Sequence, residues 1–302
     1  MSPAATPPPP GRAIPGPECP ACLARLVSQA LSGVGLAPDD ASPLGEALRE
    51  TARAGLAAGR PPALTATEFL AQARQMSGVD DPFRAQKQAD LARAARAAAR
   101  LANLPNLWPV RARAAILGNA LDHFAAAGAE ALWQEGQTLH LGVDDLAAAE
   151  AYLRPGARVV ILADNAGEQA FDRLLAGHLL ARGCRVSYVV KSRPVQNDLT
   201  LADLLAAGED HGLGEIRESG TGQVGLDPAG APPELGERLA GADLVIAKGM
   251  GHYETLAPGV NPHALALAPT LFLFLAKCRP VARSLGVAPG AGVALMVKEF
   301  AA

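Results

Sequence analysis

Lysine is scarce in this sequence. Of 27 basic residues among 302, only Lys87, Lys191, Lys248, Lys277 and Lys298 are lysine, and the rest are arginine. Where any surface cation suffices the chain carries arginine, so the lysines mark places where a compact ammonium on a flexible stem is chemically required. Cysteine is also sparse. Cys19, Cys22, Cys184 and Cys278 are too few and too scattered for a disulfide scaffold in a chain of this length, and reduced thiols in a cytoplasmic protein are expected. No basic stripe exists: the formal net charge is -3 with the cations dispersed, which argues against nucleic acid as a partner. No apolar run approaches the roughly 20 residues needed to cross a bilayer. The most apolar stretch, Ala264 to Ala276, is interrupted by Pro269, so no membrane partner is expected. The opening MSPAATPPPPGRAIPGP lacks the basic and apolar regions of a signal peptide, and residues 1–17 read as a disordered, polyproline-like tail. Small molecules are the expected partners.

What is present is apolar mass: 49% of the residues are hydrophobic, enough for a large core. From 18 to 154 the pattern is helical, rich in Ala, Leu and Arg, with apolar residues spaced by three and four in stretches such as Asp90 to Leu101 and Ala112 to Ala125. A helical subdomain is expected there. After Arg154-Pro155-Gly156 the texture changes to continuous apolar runs at Arg158–Ala163, Arg185–Val190, Glu215–Glu218, Asp243–Ala247, Leu271–Ala276 and Val293–Val297. Helical stretches separate them: Glu168–Arg182, Leu199–Ala207, Pro233–Ala240 and Val281–Leu285. Runs that do not alternate belong to strands buried on both faces, so residues 155–302 are expected to form an α/β core around a parallel-rich sheet.

The polar residues after each strand carry the chemistry. The first strand runs into Asp164-Asn165-Ala166-Gly167-Glu168, the second into Lys191 and Asn197-Asp198, and the third into Ser219-Gly220-Thr221-Gly222. The fourth runs into Lys248-Gly249-Met250-Gly251-His252-Tyr253-Glu254, and the fifth into Lys277-Cys278. In an open parallel sheet these ends share one rim, where ligands bind. Asp164, Asn165 and Asp198 offer the hard oxygen donors that Mg²⁺ or Mn²⁺ prefers. Lys191, Lys248 and Lys277 would set positive charge beside a phosphoryl group, and the Ser219–Gly222 loop offers backbone N–H groups to an anion. Taken singly, Asp164 or Asp198 reads as well as a helix N-cap, and Lys248-Gly249 as a plain turn. Gly249 and Gly251 match neither a dinucleotide fingerprint nor a P-loop. The convergence of five strand ends favours the functional reading.

Elsewhere the signals are weaker. Asn119 and Asp122 lie about one turn apart in an apolar helical stretch and read first as groups satisfying buried partners, with His123 a packed or solvated residue. Tyr253, Trp108 and Trp133 read as packing. Cys19-Pro20-Ala21-Cys22 is half of a zinc or redox motif without its other half, and an accessory role is expected.

The strings DNAGE, KSRPVQNDLTLAD, KGMGHYETL and LAKCRPVA, in this order, resemble the metal-dependent damage-control phosphatase family. The likeness is most specific from Asp164 to Ala282 and extends upstream through CPAC, DPFRAQK and GNALD. The CxxC resembles the archaeal and bacterial subgroup. The resemblance implies a Rossmann-like three-layer α/β/α core with an attached helical region, and a divalent metal (Mn, Mg, Co or Ni) held at Asp164, Asn165 and Asp198. The implied activity is hydrolysis of small phosphorylated metabolites such as sugar phosphates. Lys248 matches a substrate-phosphate position, and Glu168, Asn197 and Lys277 match other pocket positions. Asn119 within GNALD, and Lys191, Ser219, Gly249, His252 and Glu254 on the rim, complete the expected substrate-binding set. His252 departs from the family pattern, which has Asn there.

Catalysis is expected from Asp164, Asp198 and Lys248. With no DxD pair after the first strand, a metal-activated water is favoured over an aspartyl-phosphate, although the sequence leaves both open. Two other readings remain: a carboxyl methyltransferase using S-adenosylmethionine, for which the acidic Asp164–Glu168 loop is a poor fit, and a non-catalytic phosphometabolite sensor. A monomer or small homo-oligomer is expected.

Overall fold

The computed structural model describes residues 15–99, 101, 103–119, 139–227, 230–258 and 267–300. Most of the expected tail, together with Asp122, His123 and Trp133, lies outside the described residues. Among the described residues five helices come first: α1 (Cys19–Gly33), α2 (Pro43–Ala57), α3 (Pro62–Ser77), α4 (Arg84–Ala99) and α5 (Trp108–Gly118). Proline occupies the first turn of α1, α2, α3 and α5, where its missing N–H has no helical acceptor to lose and its fixed φ already suits a helix. Leu26, Leu31, Leu48, Phe69 and Leu70 close a separate core among α1, α2 and α3.

The rest alternates strand and helix: β1 (Leu141–Asp144), α6 (Leu146–Glu150), β2 (Arg158–Leu162), α7 (Gln169–Ala181), β3 (Arg185–Val190), α8 (Leu201–Ala207), β4 (Glu215–Glu218), α9 (Pro233–Ala240), β5 (Leu244–Lys248), α10 (Gly249–Leu256), β6 (Thr270–Leu275), α11 (Arg279–Leu285) and β7 (Gly292–Val297). They build a seven-stranded sheet in the order β1-β7-β6-β5-β2-β3-β4. Alternate residues feed two cores. Ile161, Tyr188, Ile246 and Leu273 pack with Trp108, Ile116, Leu175 and Leu179 of α5 and α7. Val160, Val189, Val245 and Phe272 pack with Leu239, Tyr253 and Val281 of α9, α10 and α11. Burial on both faces explains the unbroken apolar runs and gives the three-layer α/β/α arrangement.

The sheet is mostly parallel, as expected, and the run at Val293–Val297 is the strand β7, which pairs antiparallel with β6. A continuous apolar run reports burial on two faces and says nothing about direction. The sheet also begins upstream of the expected boundary at 154, because β1 pairs with β7 and α5 packs into the sheet core. Only Val143 of β1 is buried, so its sequence carried too little apolar signal to be read as a strand.

Strands β2 to β6 are mutually parallel through their neighbours, which puts their carboxyl ends on one rim. The chain leaves β2 to cover one face through α7 and leaves β5 to cover the other through α10. β2 and β5 are adjacent, and the crevice between such oppositely turning connections is where open α/β sheets place ligands.

Candidate active site

The loops after β2 and β3 are joined by backbone before any side chain is considered. Leu199 N–H donates to the Asp164 carbonyl and Ala166 N–H to the Asn197 carbonyl, each at 2.8 Å, so Asn165 and Asp198 face each other in an isolated antiparallel bridge. Gln196 enters this turn at a φ of +47°, a strained conformation for a residue with a Cβ. From the β5 side, Gly249 presses on the same point. A Cβ there would lie 1.9 Å from Asp164 Oδ2, and the φ of +77° favours glycine as well.

One part of the site is an electrostatically complete network. Lys248 is fully buried, and its Nζ donates to Glu168 Oε2 at 2.9 Å and Asp172 Oδ1 at 2.6 Å. Tyr188 donates its hydroxyl to Asp172 Oδ2 at 2.9 Å. Glu168 Oε1 accepts from Asn119 Nδ2 at 2.6 Å and Asn165 Nδ2 at 2.9 Å. Burial opposes the Lys248 charge, but Asp172 and Glu168 outweigh it and raise its pKa. Burial likewise opposes ionisation of Glu168, yet the Lys248 and Lys277 ammonium groups hold its pKa below the ordinary value.

The other part is incomplete. Asp198 is buried, and Lys191 Nζ stands 3.5 Å from its Oδ2, too far for a full hydrogen bond. Among the described residues that oxygen has no hydrogen-bond partner. Lys191 instead donates to the Gly225 carbonyl at 2.5 Å. Burial raises the Asp198 pKa to about 6 against the opposing charge of Lys191. Asp164 is pushed well above the usual range by burial, then by the charges of Glu168 and Asp198, with Lys277 and Lys191 opposing. Its Oδ2 accepts from Asn165 Nδ2 at 2.8 Å and Asn119 Nδ2 at 3.1 Å. Four buried carboxyl groups, Asp164, Glu168, Asp172 and Asp198, thus meet the buried ammonium groups of Lys191 and Lys248 and the partly buried one of Lys277. A carboxyl-rich pocket around an orphaned oxygen suits a divalent cation, and two carboxylates with an amide make a hard donor set. Among the described residues no three His, Cys, Asp or Glu side chains form a group that could hold a metal ion.

The family model of the damage-control phosphatase ARMT1-like domain matches residues 17–293. The chain belongs to this family. A damage-control phosphatase of Pyrococcus horikoshii is 30% identical over 242 residues, which cover 78% of this chain and 82% of that protein. One of Archaeoglobus fulgidus is 40% identical over 141 residues, a match spanning only 47% of either chain. The crystal structure of a DUF89 family protein from Pyrococcus horikoshii superposes with a TM-score of 0.78 at 26% identity, covering 93% of this chain and 98% of that one.

Within this damage-control phosphatase fold, Asp164, Asn165, Glu168, Asn119, Lys248 and Gly249 gather at one point, with Asp198 and Lys191 beside it. Lys277 is partly buried and close enough to lower the pKa values of Asp164 and Glu168. Asn119 satisfies buried partners as its setting suggested, including the Leu275 N–H at 3.2 Å, and those partners are the site carboxylates themselves. Asn197 reaches the site through its backbone carbonyl.

Other expected residues are engaged differently. Lys248 is held between the Glu168 and Asp172 carboxylates. Ser219 Oγ accepts the Thr221 N–H at 3.2 Å, and Ser192 Oγ accepts the Gly220 N–H at 2.6 Å, which fills part of the expected anion-binding loop with the protein's own oxygens. His252 Nδ1 donates to the Lys248 carbonyl at 2.7 Å. Burial, with the nearby Lys191 and Lys248 charges, drives its pKa down to about 3, so the ring stays neutral like the amide of the family pattern. Glu254 turns from the rim to accept the Ala63 N–H at 3.1 Å, capping α3 in place of Pro61, which has no side-chain acceptor. Burial lifts its pKa to about 7.

Asp172 was missed by sequence reasoning, and Lys87 was singled out only as one of five lysines. Asp172 sits four residues after Glu168, and that i,i+4 spacing of two carboxylates on one helix was the available signal. Lys87, buried and 2.7 Å from both Asp81 and Asp203, ties α4 to the capping box of α8.

Proposed function

We propose that this chain is a metal-dependent phosphatase hydrolysing small, sugar-phosphate-like metabolites. The observation that carries the reading is the buried Asp198 Oδ2, unpartnered among the described residues, in a carboxylate-rich crevice at the β2/β5 switch point. Asp164 and Asp198 through carboxylate oxygens, and Asn165 through its amide oxygen, would hold a hard divalent cation of the Mn, Mg, Co or Ni type. Such a cation, when bound, polarises phosphoryl oxygens and activates a water.

The protein's own residues do the rest. Lys191 and Lys277 offset charge developing on the phosphoryl oxygens. Lys248 acts as a positioning residue, because it fixes Glu168, which fixes the amides of Asn119 and Asn165 against Asp164. Gly249 keeps the space at Asp164 clear of a side chain. Four free thiols agree with a cytoplasmic setting, and no helix among the described residues is long and apolar enough to cross a membrane.

The test is phosphate release from a panel of sugar phosphates with each of the four metals. Metal-dependent release is expected. Methyl transfer from S-adenosylmethionine without phosphate release, or binding without turnover, would replace this reading.

A further inference from the structure

Beside the acidic loops lies a cavity of about 510 Å³ of opposite character. Its walls are the last turn of α3 with Arg74, the turn carrying Arg193, and the loop Gly220–Gln223. Arg193 is exposed and makes no ion pair among the described residues. Arg74 is only loosely engaged. Its Nη1 lies 3.4 Å from the Pro194 carbonyl, its Nη2 lies 3.4 Å from Asp80 Oδ1, and its Nε is buried with no partner among the described residues. Asp80 is the one carboxylate in the lining, against two guanidinium groups.

The loop adds donors. The N–H groups of Gly220, Thr221 and Val224 are taken by Ser192 Oγ, Ser219 Oγ and Thr67 Oγ1, whereas those of Gly222 and Gln223 donate to no described residue. A Cβ at Gly222 would lie 3.0 Å from that of Arg193, so the loop backbone runs close against the arginine. Two successive uncommitted amides beside guanidinium groups leave donors for an anion.

This cavity adjoins the acidic site. Arg193 follows Lys191 by two residues, and Gly222 precedes Gly225, the Lys191 acceptor, by three. At a maximum of about 3.6 Å of chain per residue, those separations cannot exceed roughly 7 and 11 Å between α-carbons.

We propose that the Arg74–Arg193–Gly222 cavity is a second anion subsite, which takes the distal phosphate of a bisphosphorylated metabolite whose scissile phosphate lies at Asp164 and Asp198. The proposal rests on the phosphatase reading above and narrows its substrate class.

Calorimetric binding of non-hydrolysable phosphonate analogues of a hexose bisphosphate and the matching monophosphate to the metal-loaded full chain tests the subsite without turnover. Phosphate release from the two parent phosphates with metal is measured in parallel. The wild type is expected to bind the bisphosphate at least about tenfold more tightly, from the added charge-assisted hydrogen bonds. Arg193→Gln, an exposed change, should collapse that ratio toward one. Arg74→Gln should do the same, and if that variant fails to fold, Arg193→Gln alone decides. Equal affinity for both compounds in the wild type, absence of binding by either, or an unchanged ratio in Arg193→Gln would overturn the subsite. Normal monophosphate turnover with any of those results leaves the phosphatase reading standing. Selective bisphosphate binding with no phosphate release from any substrate sinks the phosphatase reading and leaves an anion-binding cavity.

Discussion

Lys248 and Lys191 flank strand β2 from opposite sides, one at the end of β5 and the other just after β3, and their surroundings differ in one respect. Around Lys248 all four oxygens of Glu168 and Asp172 have a donor. Around Lys191, one oxygen of Asp198 has none among the described residues, and the ammonium is held by a backbone carbonyl. A buried charge with every partner present holds structure, whereas a buried carboxylate left short of donors marks a place kept for something else. The complete half therefore positions the incomplete half, and the two should respond differently to mutation.

The largest loss of stability is expected at the complete half. Lys248→Met strands two buried carboxylates and should cost about 3–5 kcal/mol. Denaturant unfolding measures this, and adding Asp172→Asn should recover part of the loss by removing one stranded charge. A Lys248→Met protein as stable as the wild type would show that the network is not structural. Next comes the contact between the halves. In Gly249→Ala the new methyl collides with the Asp164 carboxylate, and overpacking of this kind costs roughly 1–3 kcal/mol. Phosphate release should fall along with stability, because the carboxylate that must move belongs to the site. The smallest effect is expected far from both ammonium groups. Cys19→Ser with Cys22→Ser alters one buried and one exposed thiol and should cost about 1 kcal/mol, with turnover retained. Loss of turnover in that variant would extend the site to α1.

The sequence made the rim legible because buried parallel strands announce themselves as unbroken apolar runs, and the residues after them stand out as polar. Asp164, Asn165 and Asp198 could be singled out on that ground alone. The direction of β7 was not legible, since an antiparallel strand buried on both faces reads the same. The partners of Lys248 were hidden for another reason: an ammonium that grips a phosphate and one that grips two carboxylates look alike until Asp172 and Glu168 are seen to converge on it. Glu254 was misleading because its rim position in sequence conceals a side chain directed to the first turn of α3, and nothing local foretells a cap supplied from 191 residues away.

Asp198→Ala puts the difference between the two halves to the most direct test, with bound metal and phosphate release measured on the metal-loaded protein and melting temperature on the metal-free protein. The account predicts that metal content and turnover fall together, turnover by at least about 100-fold since even outer-shell partners of metal ligands are worth 10–100-fold. The melting temperature of the metal-free protein should not drop, because the deleted carboxylate was buried without a full set of donors. A variant that keeps its metal and its turnover, or one that simply unfolds, would contradict it.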